Sequence, residues 1–140
     1  MNKEYIPTVG LEKDFMVIHY TAGSNSFELN DDIVRLSNGA FILGLEGKAQ
    51  VSMNFTPHEI TAHTLLTIIP HHIVQGLSMS PDFEGYIVLF TPSFASDINL
   101  LRSNLPFMTE MRYNPLVNLT EEECNLFTNF CRFFYAIEGN

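Results

Sequence analysis

The sequence has no tryptophan, only two cysteines and few basic residues, and these scarcities exclude several classes of protein. It carries 7 Lys and Arg against 16 Asp and Glu, a formal net charge of −9. The bases are scattered singly, so these residues lack the basic face that a nucleic-acid-binding domain presents to phosphates. No apolar run approaches the roughly 20 residues of a membrane helix, and the N-terminus lacks the apolar stretch of a signal peptide. We therefore expect a soluble, cytoplasmic protein without membrane contact.

The cysteines, Cys124 and Cys131, lie in a segment that the pattern predicts to be helical. Their Cα atoms would be about 10 Å apart along a helix, whereas a disulfide needs less than about 7 Å. We predict two buried, free thiols, because burial also disfavours the thiolate that a nucleophile requires. The sequence has no Gly-x-Ser-x-Gly element and no glycine-rich phosphate loop. We therefore expect no catalytic residue.

Residues 14–92 are dense in β-forming residues, with turn signals about every eight positions and no intervening helical pattern. The predicted strands centre on residues 15–20, 41–43, 49–55, 65–69 and 86–90. Residues Thr56–Glu59 are interpreted as a hairpin turn with proline at its second position. Alternation before that turn places Val51, Met53 and Phe55 on one face. Many short strands of this kind predict an antiparallel sandwich or barrel.

The rest of the chain favours helices. A first helix is predicted at about 93–102, with Ser93 as its N-cap. A second is predicted at about 120–138, because Thr120 and Glu123 have the spacing of a capping box.

The second helix carries an apolar stripe. Its members are Phe127, Phe130, Cys131 and Phe134. We predict that this stripe forms a homodimer interface; in the alternative, the helix only covers the strands. A second apolar face formed by Leu126, Phe133 and Ile137 would favour a partner, because covering the strands requires only one face.

The five histidines do not form a metal-binding pattern. His71 and His72 are adjacent, and His58 and His63 are five positions apart, so on a strand the members of each pair would point to opposite faces. A zinc site needs several donors that converge. We therefore predict no metal and no cofactor.

The order of segments across residues 36–92 resembles a cupin, and specifically the N-terminal domain of AraC-type transcription regulators. The segments are a strand closing on Leu45–Gly47, the run Leu66–His72 in the place of the family's strand-then-proline element, and the strand-to-helix run Phe83–Phe94. The helix at 120–138 occupies the place of the family's dimerisation helix. The resemblance implies a mostly β protein: a cupin-like double-stranded β-helix, or jelly-roll barrel, followed by C-terminal α-helices. It implies one sensing domain over residues 1–140, with DNA bound only through a C-terminal domain that is absent from this chain.

The sequence departs from the metal-binding motifs of cupin enzymes. If Gly47 is the last glycine of the first motif, the glutamate position falls on Ala40. The histidine positions then fall on Val34 and Leu36, or on Ile33 and Arg35. If Pro70 is the proline of the second motif, its histidine position falls on Gln75. The resemblance therefore points to binding and signalling rather than to metal-dependent catalysis.

A regulator of this kind would bind a small-molecule effector, such as a sugar or metabolite, in a metal-free barrel. Candidate polar contacts are Arg35, His72, Gln75 and Tyr86. Two of them have alternatives: Arg35 would pair with Asp31 or Asp32 on the surface, and His72 would satisfy a turn carbonyl. The alternative functions are a small cupin enzyme, an isomerase or dioxygenase, and a stand-alone sugar-binding jelly roll.

Overall fold

The computed structural model describes residues 6–10, 15–21, 33–91 and 114–138. Its elements are β1 (Thr8–Val9), β2 (Phe15–Thr21), β3 (Val34–Leu36), β4 (Gly39–Glu46), β5 (Ala49–Met53), β6 (Thr56–Ile60), β7 (Thr64–Ile68), β8 (Ile73–Met79), β9 (Glu84–Phe90), β10 (Leu116–Asn118) and α1 (Glu121–Glu138). The helix expected at 120–138 is present as α1, and the helix expected at 93–102 lies outside the described residues.

The strands form two five-stranded sheets that face each other. We call them sheet A, in the order β1-β3-β8-β5-β6, and sheet B, in the order β10-β7-β4-β9-β2. Neighbouring strands are antiparallel, except that β1 and β3 pair in parallel. The predicted mostly β architecture with a C-terminal helix is confirmed.

The hairpin between β5 and β6 turns two residues earlier than the sequence indicated. Met53 pairs with Thr56, so the turn consists of Asn54 and Phe55, whose φ values are 51° and 69°. The interpretation of Thr56–Glu59 as a turn is wrong, because these residues belong to β6. Proline is tolerated at position 57 because β6 is an edge strand, where a missing N–H breaks no ladder. Phe55 consequently lies in the exposed turn and not beside the buried Met53.

The turn between β4 and β5 depends on Gly47. Its φ is +74°, and a Cβ added there would lie 2.7 Å from the backbone nitrogen of Phe83. Both the left-handed conformation and the close approach of the 80–83 turn require a residue without a side chain. The strand predicted to close on Leu45–Gly47 is therefore confirmed in β4 and the turn that follows it.

Two apolar layers hold the fold together. The first lies between the sheets, and the second lies between the outer face of sheet B and α1. In the second layer the ring of Phe127 meets the ring of Phe41 edge to face at 5.7 Å, and Phe134 meets Phe15 at 5.0 Å. Such pairs add about 0.5–1.5 kcal/mol each to the burial of their surface. Helix α1 is thereby fixed across sheet B.

The start of α1 is the capping box that the sequence predicted. The backbone N–H of Glu123 donates to Thr120 Oγ1 at 3.1 Å, and the N–H of Thr120 donates to Glu123 Oε1 at 2.9 Å. These bonds satisfy two donors at the helix start, and the acidic residues of the first turn favour the same end of the helix dipole. Among the described elements, α1 is not long and apolar enough to cross a membrane.

Candidate functional site

The side chains that pack between the two sheets are mainly hydrocarbons and thioethers. The fully or largely buried members are Tyr20, Ala40, Ile42, Ala49, Val51, Met53, Ile60, Leu66, Ile68, Phe83 and Ile87. Further apolar side chains pack against this set from the strands around it. We call this packed region the interior, and we treat it as the candidate binding site because barrels of this kind hold ligands between their sheets.

The interior is not closed equally on all sides. Ile60 and Leu66 are 0% exposed, whereas Ile18, Leu36 and Leu89 pack against the same cluster but are only partly buried. These partly buried residues belong to β2, β3 and β9, at or next to one edge of each sheet. Solvent reaches these three side chains, and we call this side of the interior the open side; Leu116 of β10, at the opposite edge of sheet B, is also partly buried.

His72 lies at this open side, and the strand register turns it inward. Val34 pairs with Val74 and Arg35 pairs with Ile73, so the same register sets Leu36 opposite His72. The N–H of Leu36 donates to the His72 carbonyl at 3.0 Å, which continues the pairing. Because paired residues share a face, the His72 side chain lies on the side of Leu36 and Val74, both of which pack on the interior cluster.

The Nδ1 atom of His72 is buried without a hydrogen-bond partner among the described residues. Such atoms are rare in folded proteins, because a buried polar group without a partner costs about 1–3 kcal/mol. The alternative given by the sequence, that this imidazole satisfies a turn carbonyl, does not account for Nδ1. A polar group placed against this nitrogen would complete its hydrogen bonding.

The other polar side chains of the interior differ from His72. The Thr64 hydroxyl donates to the Thr61 carbonyl at 2.7 Å and accepts from the Thr61 N–H at 2.8 Å. The Tyr20 ring packs against Phe83 with centroids 6.1 Å apart. His58 lies on β6, where it pairs with Val51 of β5. Strand β6 is the edge of sheet A opposite the open side.

Arg35 and Gln75 lie on the outer face of sheet A. Arg35 pairs with Ile73, and Gln75 lies two residues further along β8, so both alternate with the inward Val74. The Arg35 guanidinium donates from Nη1 to the His71 carbonyl at 3.0 Å. The strand alternation therefore directs both side chains away from the interior, which corrects their assignment to one pocket with His72.

Tyr86 also faces away from the interior, on the side of sheet B that α1 covers. It is 5% exposed and belongs to the helix-side layer. Its ring stacks on that of His19, with centroids 4.7 Å apart and planes 20° apart, and His19 Nε2 lies 2.7 Å from Glu84 Oε2. The assignment of Tyr86 to the binding pocket is corrected in the same way.

Three members of the predicted dimer stripe, Phe127, Cys131 and Phe134, form the face with which α1 covers sheet B, and Phe130 lies at the edge of that face. Phe127 is 5% exposed and Cys131 is 0% exposed within one chain, while Phe134 packs on Phe15, and the ring of Phe130 meets those of Phe127 and Phe134 in tilted arrangements. Burial raises the pKa of Cys131 to about 12 and also raises the pKa of Cys124. Phe127 and Cys131 are therefore core residues that a partner cannot reach in this arrangement.

A different face of α1 is exposed and apolar. Leu126, Phe133 and Ile137 are 50%, 62% and 52% exposed. With the partly buried Phe130 they recur at alternating steps of four and three residues, the spacing of a coiled-coil seam. We call these four residues the outer seam.

The described side chains do not fit the metal centre of a cupin enzyme. At one of the expected ligand positions Ala40 lies in the interior and has no donor atom, and at another Gln75 lies on the outer face. Within the described part of the chain, no three His, Cys, Asp or Glu side chains converge on a point that could hold an ion. The unpartnered Nδ1 of His72 could supply only one ligand atom to a metal ion.

Sequence reasoning missed the residues that form the open side. Ile18, Leu36 and Leu89 are ordinary apolar residues in strands, and alternation alone does not tell which of the two faces of a strand points inward. They could have been identified from the strand that each strand pairs with and from the register of that pairing, because the register decides which face points inward.

No protein-family model matches the chain, and no curated protein matches it. Among solved structures it is similar to ToxT from Vibrio cholerae O395 bound to (E)-4-(8-methylnaphthalen-1-yl)but-3-enoic acid, with 14% identity, a TM-score of 0.50, and coverage of 87% of this chain and 49% of that chain. A second ToxT structure from Vibrio cholerae gives 13% identity, a TM-score of 0.50, and coverage of 85% and 48%. A cupin protein from Bacteroides fragilis gives 20% identity, a TM-score of 0.39, and coverage of 56% and 64%.

The fold is cupin-like. The cupin-like chain spans about half the length of the ToxT chains that it matches. The jelly-roll architecture that the resemblance implied is therefore confirmed at the level of the fold.

Proposed function

We propose that this chain is the small-molecule-sensing domain of an AraC-type transcription regulator, and that its ligand is a largely apolar molecule with one polar group. The observation that carries the proposal is the buried, unpartnered Nδ1 of His72 at the open side of an apolar interior. The body of the ligand would displace water from the partly buried side chains Ile18, Leu36 and Leu89. Its polar group would form a hydrogen bond with His72.

The apolar side chains of the interior favour such a molecule over a sugar. Each sugar hydroxyl that enters an apolar space without a partner costs roughly 1–3 kcal/mol. Among the described interior side chains, the Thr64 hydroxyl already serves the Thr61 backbone, and His58 lies at the far edge of sheet A. An apolar ligand instead gains about 25 cal/mol for each Å² that it buries.

The similarity to ToxT agrees with this ligand class. ToxT belongs to the AraC family, and the compound in one of its structures joins an apolar ring system to one carboxylic acid. DNA binding through a separate C-terminal domain, and action in the cytoplasm, are parts of the proposal that follow from the regulator's role. Ligand binding would influence that second domain only if the ligand has different affinities for two arrangements of the two domains.

A thermal-shift titration tests the ligand class. The panel pairs apolar carboxylic acids with their methyl esters and with sugars. We expect the acids to stabilise the wild-type chain, by about 2.7 kcal/mol at a ligand concentration 100 times the Kd. Stabilisation by sugars alone would refute the proposed class, and no shift with any compound would refute sensing in the interior.

The variant His72→Leu isolates the polar contact. It removes the unpartnered nitrogen and keeps an apolar side chain of moderate size, so we expect a fold at least as stable as the wild type and at least tenfold weaker binding of the acid. His63→Asn is the matched control: His63 is exposed, has φ 67°, and lies at the other end of the strands. Equal binding by both variants would show that His72 does not contact the ligand.

The outer seam of α1 supports the second part of the proposal, a homodimer. Leu126, Phe133 and Ile137 expose apolar surface on a helix whose other apolar face is already covered. A seam with coiled-coil spacing is complementary to a second copy of itself across a two-fold axis. The second copy would bring two DNA-binding domains together and raise their avidity.

Metal-dependent cupin catalysis is the rival function. Ala40 and Gln75 occupy two of the expected metal-ligand positions, and neither places a ligand atom in the interior, which disfavours this function. Metal analysis of the purified protein separates the two functions. We expect less than about 0.1 equivalent of any transition metal, in keeping with a site that has one nitrogen donor. Stoichiometric metal that is lost in the His72→Leu variant would favour the enzyme.

A further inference from the structure

Two turns meet beside His72 and are joined by hydrogen bonds to the backbone of Ile73. One of them is the turn of Asn54 and Phe55, between β5 and β6. The N–H of Asn54 donates to the Ile73 carbonyl at 2.7 Å, and the N–H of Ile73 donates to Asn54 Oδ1 at 3.0 Å. Asn54 therefore holds both backbone groups of the residue that follows His72. We call this pair of bonds the Asn54 junction.

The other turn carries His72 and is bonded to β3. The N–H of His72 donates to the Ile69 carbonyl at 3.2 Å, and proline at the second position with a φ of 76° at His71 is typical of a type II turn. The N–H of His71 donates to the Leu36 carbonyl at 2.6 Å, next to the bond between the Leu36 N–H and the His72 carbonyl. Bonds to β3 on one side and the Asn54 junction on the other therefore fix the backbone around His72.

A fixed backbone explains how His72 Nδ1 stays buried without a hydrogen-bond partner among the described residues. A buried polar atom of this kind favours any movement that exposes it to water. Movement of this turn would break the bonds to Leu36 and to Asn54. The bonds therefore keep the nitrogen in place before a ligand arrives, and such preorganisation strengthens binding.

We propose that Asn54 is a positioning residue of the ligand site, which acts through His72 and not through contact with the ligand. This inference rests on the proposed contact between the ligand and His72. Because coupling between two sites is reciprocal, the ligand also stabilises the Asn54 junction and with it the hairpin between β5 and β6. Occupancy of the interior is thereby transmitted to the tip of this hairpin, where Phe55 is 64% exposed.

The variant Asn54→Gly removes the Oδ1 acceptor and keeps a residue that tolerates the φ of 51°. In isothermal titration calorimetry we expect it to bind the stabilising apolar carboxylic acid about fivefold more weakly, as if His72 were correctly placed in about one fifth of the molecules. Asn54→Asp keeps the acceptor at an exposed position where water screens the added charge, so its affinity should stay within about twofold of the wild type. In a His72→Leu background, Asn54→Gly should change the affinity by less than about twofold, because no imidazole remains to be positioned.

Ser80→Ala is the matched control, because Ser80 makes the same pair of bonds between two turns at the other end of β5. Its N–H donates to the Lys48 carbonyl at 2.8 Å, and its Oγ accepts from the Lys48 N–H at 2.9 Å. We expect Ser80→Ala to lower Tm about as much as Asn54→Gly does and to leave the affinity for the acid unchanged. At saturation with the acid, hydrogen exchange of the Ile73 amide should slow more than exchange of the Lys48 amide.

Equal loss of affinity in Asn54→Gly and Ser80→Ala would overturn the proposal, because Asn54 would then only stabilise the fold. An equal effect of Asn54→Gly with and without His72, weak binding by Asn54→Asp, or equal slowing of exchange at Ile73 and Lys48 would also overturn it. If His72→Leu weakens binding of the acid and Asn54→Gly does not, this inference fails while the proposed function stands. If the wild-type chain binds no acid, both fail.

Discussion

Replacing Leu126 and Phe133 together by aspartate should convert a dimer of this chain into a folded monomer. Complete burial of a Leu, Ile or Phe side chain yields about 1.5–3 kcal/mol. Leu126, Phe133 and Ile137 are 50%, 62% and 52% exposed, so covering what remains yields about 1 kcal/mol for each. Six such side chains in a symmetric dimer give about 6 kcal/mol, which corresponds to a Kd of about 40 µM.

This Kd is a lower limit, and the real affinity is weaker, because association also costs translational and rotational freedom. Sedimentation equilibrium is therefore needed up to several hundred µM. The wild type should show concentration-dependent mass, and Leu126→Asp/Phe133→Asp should remain a folded monomer that is about 2 kcal/mol less stable than the wild-type monomer, because the buried part of each side chain is also lost.

Phe127→Ala provides the contrast on the same helix. Phe127 is 5% exposed and packs on Phe41, so its truncation should lower the free energy of unfolding by about 3–5 kcal/mol. A wild type that stays monomeric at the highest concentration would refute the dimer. Unfolding of the Leu126→Asp/Phe133→Asp variant would refute the assignment of the two faces.

Three further predictions concern the fold. Thr120→Ala should destabilise the chain by about 1 kcal/mol in urea unfolding, because the hydroxyl that caps Glu123 is lost; no change would mean that the cap is dispensable. Gly47→Ala should lower Tm, because φ is +74° and a Cβ would lie 2.7 Å from Phe83; an unchanged Tm would contradict the tight turn. Because burial raises the pKa of Cys131 from 9.0 to about 12, its contribution to stability is complete below about pH 9 and is lost as the pH rises toward 12. Unfolding free energies should therefore fall by about 1 kcal/mol more between about pH 8 and 10 in the wild type than in Cys131→Ala, and parallel curves would show that the thiol titrates normally.

Local signals in the sequence were reliable where the structure depends on neighbours along the chain. The capping box of Thr120 and Glu123 predicted the start of α1, since both partners lie within one helical turn. The β6 strand was missed because Pro57 follows Thr56 as it would in a turn. Only the position of β6 at the edge of sheet A makes proline acceptable there.

The candidate site depended on pairings that no local signal encodes. Arg35 and His72 are both reasonable polar contacts by their place in the chain, yet the register between β3 and β8 directs them to opposite faces. A shift of one residue would exchange those faces. The stripe through Phe127 was predicted as a dimer interface for a related reason. A helical pattern shows that one face of a helix is apolar, but it does not show whether sheet B or a partner covers that face.

The proposed function requires that the interior binds an apolar molecule whose polar group forms a hydrogen bond with His72. The most direct measurement is a ¹⁵N-NMR titration of the imidazole nitrogens with an apolar carboxylic acid that stabilises the chain. We expect the Nδ1 resonance of His72 to shift to the value of a hydrogen-bonded nitrogen at saturation, while the resonances of the exposed His63 do not change. Tight binding of that acid with no change at His72 Nδ1 would contradict the claim.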